Sequence, residues 1–198
     1  MIAQIQKPLS QQQAEMAQLI AREFKAAGLP SEFGAAAIVN AYYESGLNPG
    51  IQSGYVSASG AREDSVGLFQ LYINGAGKGM VLSDGTDLRK DPILNTRRII
   101  EEVKNPTYGQ AMRDSYASGN RSIAHYSGLF AQDIERCSSC GPPSWTSRTQ
   151  SDSSKVKREK LSLEFFPTDR VEGSPSSPLW AGAIAVASIL AIHLASKK

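Results

Sequence analysis

Two short stretches of the chain combine residue types that take part in acid catalysis. The first, residues 42–49, reads YYESGLNP and contains Glu44, and the second, residues 64–70, reads DSVGLFQ. A glycosidic bond breaks when a carboxylic acid donates its proton to the leaving oxygen. Glu44 is therefore a candidate general acid for the cleavage of a polysaccharide.

The predicted position of Glu44 suits an acid at the rim of a cleft. We expect a helix that starts at the N-cap Ser31 and ends before Pro49, with Gly46 in the left-handed conformation beyond the last turn. Apolar neighbours raise a carboxyl pKa because they disfavour the charged form. These neighbours are Tyr42, Tyr43 and Leu47. The alternative is an ordinary glutamate at a solvated helix end.

The second stretch predicts a strand or turn that lines a groove. Gly67 has no side chain and allows a sugar or another backbone to approach closely. The Gln70 amide can donate hydrogen bonds to a sugar and accept them from it. Leu68 and Phe69 are assigned to the core. A plain buried strand is the alternative interpretation.

Three blocks of the chain together resemble a known family. They follow the order and spacing of the motifs of the soluble lytic transglycosylases, and their form is similar to variants in bacteriophage virion-associated murein hydrolases. The resemblance spans residues 31–130. The blocks are Glu44-Ser45 with Asn48-Pro49, Ser65-x-Gly67-Leu68-Phe69-Gln70, and Ile123-Ala124-His125-Tyr126-Ser127-Gly128.

The resemblance implies a mainly α fold, with a lysozyme-like helical domain whose cleft is built from loops or a small β-hairpin. It aligns Glu44 with the catalytic acid and implies neither a cofactor nor a metal ion. Ser127 stands where the family usually has Asn, which puts a substrate contact there in doubt. The candidate substrate-binding residues are Ser45, Ser65, Gly67, Gln70 and Tyr126.

The reaction implied is that of a lytic transglycosylase acting on the β-1,4 bond between N-acetylmuramic acid and N-acetylglucosamine. Glu44 protonates the leaving oxygen and then accepts the proton of the sugar's C6 hydroxyl, which closes a 1,6-anhydro ring. One alternative is a true muramidase, which needs a second carboxylate; Glu63 and Asp64 are its candidates. Another is a non-catalytic glycan-binding or structural virion membrane protein.

Length and composition limit the other classes. A chain of 198 residues accommodates one compact domain with additional segments, and two enzymatic domains would not fit comfortably. The net charge of +2 gives no strongly basic surface, so no specific nucleic-acid partner is indicated. Cys137 and Cys140 have neither a second pair nor a nearby histidine to complete a zinc site. A local disulfide and two free thiols remain equal alternatives.

The chain divides into three predicted parts. Residues 1–136 form the lysozyme-like domain, with helices over 10–27, from Asp91-Pro92 onward and over 107–116. Residues 137–177 are rich in Ser and Pro and are predicted to be a linker, although the apolar patch 161–166 is expected to dock on the domain or a partner. Residues 178–198 are predicted to be a C-terminal transmembrane helix with a basic tail, a buried helix of an assembly being the alternative.

The predicted location follows from the substrate. The first thirteen residues lack the apolar core of a signal peptide, so murein must be reached by another route. We expect a virion protein, membrane-associated through its C-terminal helix, that acts in the host periplasm during genome entry. Its expected partners are peptidoglycan glycan strands, the membrane and other virion proteins.

Overall fold

The structure is a computed structural model that describes residues 4–54, 56, 60, 62–135 and 148–167, without the side chains of 148–153. Within these residues the fold is mainly α, as predicted. The six helices are α1 (Gln11–Ala26), α2 (Ser31–Ser45), α3 (Pro92–Lys104), α4 (Gln110–Ala117), α5 (Ile123–Leu129) and α6 (Arg148–Phe165). A π-helical segment, Phe130–Ile134, continues directly from α5.

Helix α2 forms the centre of the core. Every residue from 32 to 41 is buried, because the sequence is apolar on all faces of the helix and many of its side chains are alanine. Helices α1, α5 and α6 pack around it. The predicted N-cap at Ser31 is wrong by one residue: Pro30 holds that position, and the Ser31 hydroxyl donates to Glu32 Oε2 at 3.1 Å instead.

Two predicted helix starts are confirmed, and each has a local cause. At α1, the Ser10 side chain accepts from the Gln13 backbone N–H, and the Gln13 side chain accepts from the Ser10 N–H. At α3, Asp91 Oδ1 accepts from the N–H groups of Ile93 at 2.8 Å and Leu94 at 2.9 Å. Pro92 occupies the first turn of that helix, where its missing N–H costs nothing.

A short antiparallel hairpin lies between α2 and α3. Its strands are β1 (Ser65–Val66) and β2 (Leu71–Tyr72), with Ser65 opposite Tyr72 and Val66 opposite Leu71. The turn between the strands therefore consists of residues 67–70, the centre of the second motif. A 3-10 helix, Leu88–Lys90, precedes α3 and anchors this hairpin through Arg89.

Part of the segment expected to be a linker packs against the helical core. Phe165 and Phe166, at the end of α6, are fully buried. The ring of Phe165 meets Tyr42 edge-on at 5.0 Å between centroids, and the Phe165 carbonyl accepts from the Gln6 N–H at 2.8 Å. The expected docking of the apolar patch 161–166 thus occurs. The surrounding Ser and charged residues favoured a linker in the sequence analysis, but the segment forms a helix with one buried face.

Other predictions concern residues outside the described part of the chain. These are the pair Cys137 and Cys140 and the C-terminal transmembrane helix 178–198. Among the helices that the structure does describe, none combines the length and the apolar character required to cross a bilayer.

Candidate active site

A cavity of about 240 Å³ opens beside the C-terminal end of α2. Its lining is mostly polar, with carboxyl, amide and hydroxyl groups that can bind sugar hydroxyls. Three of the predicted site residues, Glu44, Ser65 and Gln70, meet there, although they come from separate elements. The lining residues are Glu44, Ile51, Gln52, Ser53, Gly54, Glu63, Ser65 and Gln70.

The end of α2 holds Glu44 at the cavity. Gly46 adopts the predicted left-handed conformation (φ 62°), and its N–H donates to the Tyr42 carbonyl at 2.8 Å. Leu47 follows with φ 61° and is buried, and Gln70 has φ 45°. Among the described residues these are the only non-glycine residues with positive φ. Each costs roughly 1–3 kcal/mol, and such strain is typical of functional sites.

Ser45 does not line the cavity, contrary to its predicted substrate-binding role. Its hydroxyl is buried and lies 2.8 Å from both the Ala41 and the Leu68 carbonyl oxygens. Because a hydroxyl has one proton, it donates to one of them at a time. Ser45 therefore ties the end of α2 to the Gly67–Gln70 turn and so orients the neighbouring Glu44.

Gly67 and Tyr126 also have structural roles instead of the predicted contacts with substrate. A Cβ on Gly67 would lie 2.2 Å from the Arg89 carbonyl oxygen and 2.3 Å from Asn95 Nδ2, and its φ is +88°. The glycine thus allows another backbone to approach, not a sugar. Tyr126 is fully buried, and its hydroxyl donates to the Asn120 carbonyl at 2.8 Å.

The two proposed second carboxylates lie in different environments. Glu63 lines the cavity with Glu44, and its Oε1 accepts from the Ser65 hydroxyl at 2.8 Å. Asp64 instead pairs with the buried Arg89, whose Nη2 lies 2.9 Å from Asp64 Oδ1. Only Glu63 is placed to act on the same ligand as Glu44.

Glu44 has two charged partners that sequence reasoning missed. Arg158 on α6 contacts Glu44 Oε1 through Nη2, and the same nitrogen lies 2.5 Å from Glu135 Oε2. Its guanidinium stacks over the Tyr43 ring at 4.0 Å. Arg158 shares one face of α6 with Ser162 and Phe165, both buried, and this helical spacing was the available signal.

Burial raises the pKa of both glutamates. It is the largest cause of the raised pKa of Glu44, which Arg158 and a hydrogen bond with Glu135 oppose and the charge of Glu63 reinforces. The pKa of Glu135 rises to about 8, also through burial, with Arg158 again opposing. A raised pKa favours the protonated form of a carboxyl group, and that form is the one that acts as a general acid.

Among the residues that the structure describes, no group of His, Cys, Asp and Glu side chains is arranged to hold a metal ion. The resemblance to the transglycosylase motifs is confined to three short blocks of the sequence. Of the residues in these blocks, Glu44, Ser65 and Gln70 meet at the cavity. Comparisons of the chain with protein-family models, curated proteins and solved structures find no match.

Proposed function

We propose that this chain is a lytic transglycosylase with a lysozyme-like fold that cleaves peptidoglycan, with Glu44 as its acid. The observation that carries the proposal is the setting of the Glu44 carboxyl, which has a raised pKa, is only 25% exposed and opens into a polar cavity. A carboxyl in this setting can protonate the oxygen of a glycosidic bond.

In the first step Glu44 transfers its proton to the oxygen that links N-acetylmuramic acid to N-acetylglucosamine, and the bond from that oxygen to C1 breaks. In the second step the C6 hydroxyl oxygen bonds to C1, and its proton returns to Glu44. The product is a 1,6-anhydro sugar, no water is consumed, and the enzyme is restored. Ser65 and Gln70 supply the polar groups that hold the sugar.

The proposed setting is a virion protein that opens the host cell wall locally during genome entry. The segment 179–195 contains no Asp, Glu, Lys or Arg and is followed by two lysines, which supports attachment to a membrane. A chain truncated at Pro178 should then partition into the soluble fraction, while the full chain stays with membranes. Equal partition of both chains would contradict the anchor.

A true muramidase is the second candidate, and one observation favours it. Glu63 lines the same cavity as Glu44 and can serve as the second carboxylate that hydrolysis requires. In an inverting enzyme it would activate water from a distance of about 6.5–9.5 Å, and in a retaining one it would attack from about 5–5.5 Å. Asp64 is a poorer candidate because Arg89 binds it.

Product analysis tests the proposal. Purified sacculi are digested with the full chain, and the released muropeptides are identified by mass spectrometry. We expect 1,6-anhydro ends, whereas free reducing ends would establish the muramidase. No release at any pH would leave the non-catalytic glycan-binding role.

The variant Glu63→Gln separates the two reactions further. It should retain cleavage if Glu44 acts alone. It should lose roughly 10²- to 10⁴-fold in rate if Glu63 is the second catalytic carboxylate.

A further inference from the structure

We propose that Arg158 and Glu135 are positioning residues for Glu44, and that the three side chains form a triad in which one guanidinium contacts two glutamates that share one proton. The proposal rests on the proposed function, because it concerns how the acid of that reaction is held and recharged. None of the three sequence motifs includes Arg158 or Glu135.

The contacts place the triad behind the cavity. Arg158 Nη2 reaches both Glu44 Oε1 and Glu135 Oε2, while Nη1 donates to the Ser154 hydroxyl. Stacking on Tyr43 restricts the remaining freedom of the guanidinium. The cavity lining includes Glu44 but neither of its two partners. Glu44 is therefore held from the protein side and left open on the cavity side.

The charges of the triad favour a state in which one of the two glutamates keeps its proton. An arginine side chain brings a single positive charge, so two ionised glutamates beside it would leave a net negative charge at the triad. Glu135 Oε1 is buried and has no hydrogen-bond donor among the described residues, a costly setting for a charged oxygen. The two carboxyl groups are close enough to hydrogen-bond when one is protonated. The neutral arrangement has one proton for the two glutamates.

This arrangement supports both proposed steps. While the proton is on Glu135, that carboxyl group hydrogen-bonds to Glu44 and Arg158 neutralises the Glu44 carboxylate; once the proton moves to Glu44, Glu135 is the carboxylate that Arg158 neutralises, and Glu44 is ready to act as an acid. After the transfer, two carboxylates face one guanidinium, which favours the return of the C6 hydroxyl proton to Glu44. Glu63 also faces Glu44 from the cavity loop and adds negative charge. It is unchanged in the variants below.

The test is a titration of the Glu44 carboxyl in the full chain by carbon-13 NMR, with the signal assigned from its loss in Glu44→Gln. Arg158→Gln removes the positive charge and should raise the Glu44 pKa. Glu135→Gln removes the second carboxyl group of the coupled pair, and Glu44 should then titrate in a single step, independent of the group whose pKa is about 8. The change expected for Arg158→Gln is roughly tenfold or larger in proton affinity.

Two further variants control the measurement. Lys157→Gln removes a positive charge from the exposed face of α6 and should leave the Glu44 titration unchanged. Arg158→Lys keeps the charge and should return most of the shift. Circular dichroism reports whether each variant is folded, and if Arg158→Gln is not, the nearly isosteric Glu135→Gln decides the question.

A Glu44 titration that is unchanged in Arg158→Gln, or that keeps the same steps in Glu135→Gln, would overturn the triad. The alkaline limb of the pH profile for sacculus cleavage should move with the titration, to higher pH in Arg158→Gln. If the unmodified chain cleaves nothing, the proposed function fails while the NMR titration still decides whether the three charges are coupled.

Discussion

Two arginines, Arg89 and Arg158, are almost fully buried, at 2% and 3% exposed, and each binds two carboxylates. The effects on the carboxyl groups are opposite. A hydrogen bond from Arg89 is the main cause of the lowered pKa of Asp87, whereas burial raises the pKa of Glu135 to about 8 in spite of Arg158. The same set of charges thus produces a permanent ion pair in one region and a retained proton in the other.

Hydration and hydrogen bonding explain the difference. Arg89 donates to Asp87 through Nε and Nη2, at 2.9 and 2.8 Å, and to two backbone carbonyls through Nη1. The Asp64 side chain is 40% exposed and keeps contact with water. By contrast, Arg158 Nε and Glu135 Oε1 are buried without partners among the described residues. An ion pair is stable only where its remaining polar atoms are satisfied.

The largest effect on stability is expected from a substitution of Arg89. Arg89→Gln should lower the free energy of unfolding at pH 7 by about 3–5 kcal/mol, because it leaves two carboxylates without their cation. Arg158→Gln should cost less, since its glutamates can take up a proton. Urea denaturation measures both. The control Arg97→Gln removes a pair with Glu23 in which the arginine side chain is 60% exposed, and it should cost about 1 kcal/mol or less.

If Arg158→Gln were the more destabilising of the two variants, the distinction between a structural cluster and a proton-holding cluster would be wrong. A loss below about 1 kcal/mol for Arg89→Gln would contradict the structural role given to that arginine.

A second prediction concerns Gly67, which lies close to the Arg89 backbone. Gly67→Ala should destabilise the fold by about 3 kcal/mol, because the new methyl group meets the Arg89 carbonyl and the backbone is in the left-handed region. Gly79→Ala is the matched control. Its φ is +81°, but nothing lies within 4 Å of its Cβ position, so about 1 kcal/mol is expected. Equal losses in thermal unfolding would contradict the close approach at Gly67.

A third, smaller effect concerns Glu135, the glutamate that retains a proton beside Arg158. The folded-state pKa of Glu135 lies above its unfolded value, so the native state binds more protons between about pH 4.5 and 8. This group therefore lowers stability as pH rises through that window, by at most about 1.4 kcal/mol per pH unit. Glu135→Gln removes the penalty and should gain stability relative to the unmodified chain between pH 5 and pH 8.

Denaturation at the two pH values measures that gain, with the exposed Glu15→Gln as control. Parallel stability profiles for the unmodified chain and Glu135→Gln would show that Glu135 carries no retained proton.

Local rules predicted the parts of the site that depend on neighbouring residues. The cap at Asp91, the left-handed Gly46 and the position of Glu44 at the end of α2 all follow from short-range hydrogen bonding. The roles of Ser45 and Tyr126 were not predictable in this way, since a motif gives the residue type but not the direction of its side chain. Both side chains point into the protein.

The triad depended on contacts that no local pattern contains. Arg158 is 114 positions from Glu44, and the Ser-rich and charged composition around it favoured a linker. A tertiary contact between α2 and α6 overrides that composition, because Phe165 and Phe166 bury enough apolar surface to dock the helix.

The most direct test of the catalytic claim is the rate at which Glu44→Gln releases muropeptides from purified sacculi. The matched control is Glu15→Gln, which neutralises an exposed glutamate on α1. We predict a roughly 10²- to 10⁴-fold loss for Glu44→Gln with the fold intact, and an unchanged rate for Glu15→Gln. Release by Glu44→Gln at the rate of the unmodified chain would contradict the role of Glu44 as the acid.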